Sequence, residues 1–174
     1  MTTAEKIVAA ARAQVGDRYV ADYVSLKYPG GDVPKGQGAC TDVVIRALRA
    51  AGYDLQKLVH DDMRRNFNLY PKKWGLRRPD PSIDHRRVPN LRVFFARFGQ
   101  SLPLNKDFQP GDIVTWDLTP TSLTHCGIVS DRKNAQGGYL ILHNIGPQAS
   151  EEDRLFAWKI TGHYRFPGNK LPGR

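Results

Sequence analysis

The chain has 174 residues, 40% hydrophobic and 25% charged, a balance that supports one domain with a sizeable core and excludes a disordered polymer. No apolar run approaches the ~20 residues a membrane helix needs. The net charge of +9 favours a polyanionic neighbour such as nucleic acid, an anionic membrane surface or an acidic wall polymer.

The first element in chain order is a helix. Thr2 and Glu5 form a capping-box pattern, and Ile7, Val8, Ala11 and Val15 follow at helical spacing until Gly16. The start shows no cationic segment followed by an apolar stretch, so no signal peptide is visible. A cytoplasmic chain, another export route and a mature form stripped of its leader all fit it. Residues 19–39 read as a loop, punctuated by Pro29, Gly30, Gly31, Pro34, Gly36 and Gly38. A second helix begins near Cys40, with Val43, Val44, Ala47, Leu48 and Ala51 as its apolar stripe and Gly52 as its stop. A short helix is expected from Asp61 to about Tyr70. Asn90 is expected to cap a further helix carrying Leu91, Phe94, Phe95 and Phe98. The pattern then turns to strands at 112–118, 124–130, 139–144 and 155–160. Helices followed by adjacent strands predict an α+β fold with an antiparallel sheet.

Two cysteines make no disulfide framework, and neither a CxxC nor an HxxxH pair suggests a closed zinc site. No metal or other cofactor is expected. Cys40 follows a glycine-rich loop at a helix start, where unpaired N–H groups and the helix dipole favour a thiolate and can hold an oxyanion. Its place on the apolar stripe also fits a small core residue. His125 opens the THCGIVSD strand. Alternation along that strand turns Cys126 to the opposite face, so Cys126 reads as packing. His143 ends the next strand, and a hairpin through residues 132–138 can bring it beside His125 to hold the imidazole in its working tautomer. Asn144 competes for that role. Much of the positive charge lies between Arg64 and Arg87, where Arg86 and Arg87 could fork onto a carboxylate or pair with Asp84 or Asp61.

These residues resemble a family. The loop–Cys–helix start, then Gly111-Asp112-Ile113-Val114, His125-Cys126-Gly127-Ile128-Val129 and Ile141-Leu142-His143, resemble in order the NlpC-type branch of papain-like cysteine peptidases. More closely, PGGDVP, GACTDVVIRALRAAGYDL, IDHRRVPNL, THCGIVSD, HNIG and GHYR resemble an uncharacterised bacterial family placed beside that branch. The resemblance implies a papain-like α+β fold, with N-terminal helices and a catalytic cysteine at a helix start packed on an antiparallel sheet. It implies amide cleavage in peptidoglycan stem peptides, with Cys40 as nucleophile, His125 as base and His143 as orienting residue. Where the NlpC branch carries Asp before the cysteine and Ser after it, this chain has Ala39 and Thr41, and its nearest acid is Asp42.

The expectation is therefore a single catalytic domain over 1–174, in which residues 60–90 form an insertion acting as lid or substrate wall. Asp42, Arg86 and Arg87 are candidates for binding substrate. Tyr23 and Tyr28, with Tyr19, are candidates for supplying a hydroxyl to the oxyanion. The expected partner is peptidoglycan or a peptide, in the periplasm or outside the cell, with no membrane span and with the protein a monomer. A toxin-like amidase, deamidase or acyltransferase would use the same residues. A basic wall-polymer or nucleic-acid binding module with an inert Cys40 is the reading from another class, although no nucleic-acid motif is present.

Overall fold

The computed structural model describes residues 1–171, and within them four α-helices precede a six-stranded antiparallel sheet. Helix α1 spans Thr3–Arg12, capped reciprocally by Thr2 and Glu5 as the sequence predicts. It stops earlier than its apolar spacing implied. The chain unwinds into turns after Arg12, so Val15 leaves the helical stripe and is exposed. The glycine-rich loop after it carries one small parallel pair, β1 (Arg18–Tyr19) with β2 (Gln37–Gly38).

Helix α2 (Cys40–Ala50) begins at the cysteine and buries Val43, Val44, Ala47 and Leu48. Ala39 has no side chain able to cap it. The Asp42 carboxylate reaches back instead and accepts the Ala39 N–H at 2.7 Å. Helix α3 (Leu55–Arg65) starts earlier than expected, because the Asp54 side chain caps the Gln56 N–H and Leu55, Val59 and Met63 supply a buried stripe. A 3₁₀ turn at Phe67–Leu69 follows it. Helix α4 (Val88–Phe98) begins two residues before Asn90, with Pro89 in its first turn. Asn90 is no cap. It is buried, and its amide donates to the Asp84 carbonyl at 3.1 Å. Leu91, Phe94, Phe95 and Phe98 form the core face as the spacing predicts.

The sheet runs in the order β3 (Gln100–Ser101), β8 (Lys159–Arg165), β4 (Ile113–Asp117), β5 (Thr124–Lys133), β6 (Tyr139–His143), β7 (Ser150–Glu152). The strand expected at 155–160 is displaced to 159–165, and β7 is an addition to the expected set. The polar Ser-Glu-Glu of β7 has no apolar alternation to betray it, and it pairs through its backbone with β6. Alternation splits the strand residues between two cores. Ile113, Cys126, Ile128, Leu142 and Tyr164 pack with the helices. Val114, Trp116, Val129 and Ile141 form a second cluster with Leu155 from the β7–β8 connection.

A buried ion cluster ties the sheet together. Asp112, at the entrance to β4, accepts from His163 Nε2 at 2.6 Å, from Arg165 Nε at 2.7 Å and from the Gln109 N–H at 2.9 Å. His163 is thereby structural, its other ring nitrogen lying 2.7 Å from the Pro103 carbonyl. Burial alone would push the Asp112 carboxyl up, but the bonds from His163, Arg165 and Gln109 outweigh it and hold it below the usual range. A carboxylate depressed on folding stabilises fully above its unfolded value near pH 4, and that contribution is lost as pH falls through the folded value. Asp112→Asn is therefore expected to lower the unfolding free energy at neutral pH by about 3 kcal/mol, the low end for a broken buried pair because Arg165 keeps some contact with water. The gap between variant and wild type should narrow below about pH 4, and denaturant melts across that range check both points.

Candidate active site

Cys40 opens α2 beside a cleft of about 320 Å³, which is also lined by Tyr19, Trp74, Arg87 and Thr124. The first N–H groups of α2 have no helical acceptor, so their partial positive charge falls on the sulfur. The Cys40 thiol lies well below its ordinary pKa. Hydrogen bonding to Cys126 is the largest cause; burial opposes it, and the bond and charge of His125 add to the lowering. Cys126 moves the other way, raised by the same bond to Cys40 and by its own burial. Of the two thiols, Cys40 is the one that ionises first. Both cysteines are free thiols.

The two neighbours do take opposite faces of the strand. Cys126, not His125, turns toward the helices, in the core against which Cys40 packs. His125 lies on the other face, stacked on its cross-strand partner Trp116 at 5.4 Å between ring centroids. Cys40 meets both because α2 begins beside the first residues of β5, with Thr124 in the same cleft lining. Cys126 is therefore a neighbour of the Cys40 sulfur as well as a packing residue.

His143, at the end of β6, is the residue that reaches His125. Its Nδ1 lies 2.8 Å from His125 Nε2. Asn144 faces elsewhere and clamps the glycine loop, donating to the Asp17 and Gly38 carbonyls. Gly127 makes room for the pair: a Cβ there would stand 3.1 Å from the His143 Cβ and 3.4 Å from Trp116. Trp158 closes over both rings, 5.5 Å from His125 and 6.0 Å from His143. Burial, helped by the nearby His125, pushes the His143 pKa down to about 4, with Glu152 opposing. The pair is buried and, at neutral pH, His143 carries no charge.

Asp42 is outside the cleft lining, and Arg86 borders the cleft while its guanidinium is turned away from solvent. They form a buried fork, with Nε to Oδ1 at 3.0 Å and Nη2 to Oδ2 at 2.9 Å, and Arg86 Nη1 donates to the Asp22 carbonyl. The partner of Arg86 is thus Asp42 rather than Asp84 or Asp61. Arg87 lies along the cleft with its guanidinium 4.3 Å above the Trp74 ring, and its Nη1 has no hydrogen-bond partner among the described residues. Tyr23 and Tyr28 are outside the cleft lining, with hydroxyls donating to Asp80 at 3.0 Å and Asp61 at 3.1 Å. Tyr19 is the loop tyrosine on the cleft. Its hydroxyl pKa is raised by burial and then by the charge of Cys40. Residues 60–90 are divided: Lys73, Trp74, Ile83 and Arg86 to Pro89 line the cleft, while Ser82, Asp84 and His85 are buried behind it. His60 and His85 stand apart from the His125–His143 pair. Among the described residues, no group of three or more His, Cys, Asp or Glu side chains is disposed to hold a metal.

Sequence reasoning missed Glu152, whose Oε1 lies 3.3 Å from His143 Nε2. The signal was faint, an acidic pair a few residues beyond the histidine strand. It becomes legible only through the register that sets Ser150 opposite His143 and puts Glu152 on the same face.

Comparison with known proteins places the fold. Residues 8–166 match the family model described as a domain of unknown function, DUF1287. The "Uncharacterized protein YijF" of Escherichia coli K12 is 55% identical over 161 residues, covering 90% of this chain and 78% of that one. Among solved structures, an N-acetylmuramoyl-L-alanine amidase from Bacteroides uniformis superposes with a TM-score of 0.60 at 14% identity, over 94% of this chain and 98% of that one. NlpC1 from Trichomonas vaginalis gives 0.54 at 14% identity over 94% of this chain, and an NLP/P60 family protein from Staphylococcus aureus gives 0.54 at 17% over 96%. The chain spans less than half the length of those last two, 44% and 42%. With helices, sheet and motif order all in place, the chain belongs to the DUF1287 domain family and has the α+β fold of the NlpC/P60 proteins.

Proposed function

We propose that this protein is a thiol hydrolase that cleaves an amide bond in peptidoglycan stem peptides, with Cys40 as nucleophile, His125 as base and His143 as orienting residue. The observation that carries the reading is the buried His125–His143 bond beside a helix-start cysteine whose thiol is acidified at the edge of a cleft. His125 Nε2 is occupied by His143, so Nδ1 is the nitrogen left for the sulfur. The thiolate attacks the amide carbonyl carbon, and the carbonyl oxygen becomes an oxyanion held by N–H groups at the start of α2. Tyr19, on the cleft, is placed to add a hydroxyl there. Collapse of the tetrahedral intermediate breaks the C–N bond, and His125 passes its proton to the departing amine. Water, deprotonated by His125, then attacks the thioester; the carboxylic acid leaves and the thiol is restored.

The substrate reading rests on the solved relatives of the same fold, one of them named as an N-acetylmuramoyl-L-alanine amidase, and on the charge of the cleft. Arg87 is partly desolvated, which lowers its pKa, and its guanidinium on the cleft wall favours a carboxylate on the ligand, with Lys73 nearby as a second cation. Arg86 is withdrawn from this role by Asp42. Residues 60–90 act as the wall of the substrate cleft within a single catalytic domain, and a monomer working on the wall side of the membrane suits a chain of net charge +9.

Digestion of purified peptidoglycan should give new peptide or glycan termini by mass spectrometry with wild type and none with Cys40→Ala. Iodoacetamide should label Cys40 well below the ordinary thiol pKa near 8.5, since a lowered pKa keeps thiolate present as pH falls, and should spare Cys126. Equal inertness of the two thiols would count against the enzyme and for a binding module. Arg87→Met should raise KM about tenfold or more with little change in kcat, the loss of one charged hydrogen bond in the ground and transition states alike.

A further inference from the structure

Resting on the hydrolase reading above, we infer that Glu152 is a positioning residue that sets the tautomers of both site histidines and so leaves His125 Nδ1 free to take the proton of Cys40. The inference starts from register. Strand β7 pairs antiparallel with β6, with His143 opposite Ser150 and Ile141 opposite Glu152. Alternation then carries Ser150 and Glu152 onto the face that holds His143. The Glu152 Oε1 lies 3.3 Å from His143 Nε2, and Ser150 donates its hydroxyl to the same oxygen. Arg154 Nε donates to the other oxygen at 3.3 Å. These contacts hold the carboxyl below its usual range, Ser150 first. Glu152 is therefore an acceptor only.

The proton positions follow one after another. His143 is neutral at neutral pH and has one N–H to place. Nε2 faces a carboxylate that can only accept, so the proton sits on Nε2 and Nδ1 presents a lone pair. The atom facing that lone pair is His125 Nε2, at 2.8 Å, which must then be the donor. Neutral His125 thus carries its proton on Nε2 and has a bare Nδ1. Without the carboxylate, His143 could place its proton on Nδ1, His125 Nε2 would have to accept it, and the His125 proton would move to Nδ1, where it blocks the base. Once His125 has taken the thiol proton, its Nε2–H still donates to His143 and no proton needs to travel to Glu152. The charged and titratable groups around this line are Glu152 and Arg154 beside His143, His125 and Cys126 on β5, and Asp42, Arg86 and Tyr19 around Cys40. Of these, Glu152 alone meets His143 Nε2.

The test combines nitrogen-15 NMR of the histidine rings with the pH profile of Cys40 alkylation by iodoacetamide, on the whole chain. In wild type at neutral pH, His143 should show a protonated Nε2 and a bare Nδ1, and His125 a protonated Nε2 whether or not its Nδ1 has taken the Cys40 proton. A His143 protonated on Nδ1 overturns the inference without any variant, so misfolding of a mutant cannot protect it. Glu152→Gln, whose amide can donate to His143 Nε2, should shift His143 toward the other tautomer and slow Cys40 alkylation about tenfold at a pH below the wild-type thiol midpoint, one unit of displacement. An unchanged profile and unchanged ring shifts in a folded Glu152→Gln overturn it. Failure of the hydrolase reading looks different, because wild-type Cys40 would then alkylate no faster than Cys126.

Discussion

The site depends on the buried ion pair between Asp42 and Arg86. Asp42 lies in the first turn of the helix that Cys40 opens, and its two carboxylate oxygens are committed to the Arg86 fork and to the Ala39 N–H. The pair therefore does three things at once. It caps a helix whose preceding residue has no capping side chain, it fixes the height of the cysteine above β5, and it pins the 80s segment that walls the cleft. Thr41 strengthens the same seam by donating to the Arg86 carbonyl at 3.2 Å. A buried pair of this kind adds little net stability over an apolar substitute, but leaving one partner uncompensated is expensive, so both residues are locked in place. Positional definition of the cysteine is what the seam provides.

On the other side of the sheet the histidine pair is buried under two tryptophans. Trp116 lies flat against His125 while its own indole N–H donates to the Leu155 carbonyl at 2.9 Å, and Trp158 meets both imidazoles at an angle. In such surroundings a hydrogen bond is worth more than in water and an uncompensated charge is costly. That explains why His143 stays neutral and can serve as an acceptor. The cysteine sits in a different environment, at a helix start with one imidazole and one thiol nearby, where the negative form is favoured. The Cys40 thiol and the His143 imidazole thus receive opposite electrostatic settings on the two sides of one sheet, and β5 lies between them.

The elements whose side chains alternate or repeat by their own periodicity were legible in the sequence. The capping box of α1, the Cys40 start and apolar stripe of α2, the phenylalanine face of α4 and the strands expected at 112–118, 124–130 and 139–144 all follow from such patterns, although β5 runs on to Lys133. Boundaries slipped where a cap lay outside the apolar run, as with Asp54 before α3, or where the chain turned before its pattern ended, as at Val15. Strand β7 carried no pattern at all, since its place comes from backbone pairing with β6.

The same division runs through the site. Local sequence was enough to mark Cys40 by its loop and helix start, and to single out His125 and His143 by their places on two hairpin strands, because those signals lie within a few residues of each side chain. The chain order could not choose between His143 and Asn144, send Arg86 to Asp42 rather than to a ligand, bring Cys126 to the cysteine, or add Glu152 to the histidines. Each of those outcomes depends on which faces of distant segments meet. Sheet register and the packing of α2 against β5 settle that, and both are properties of the folded whole.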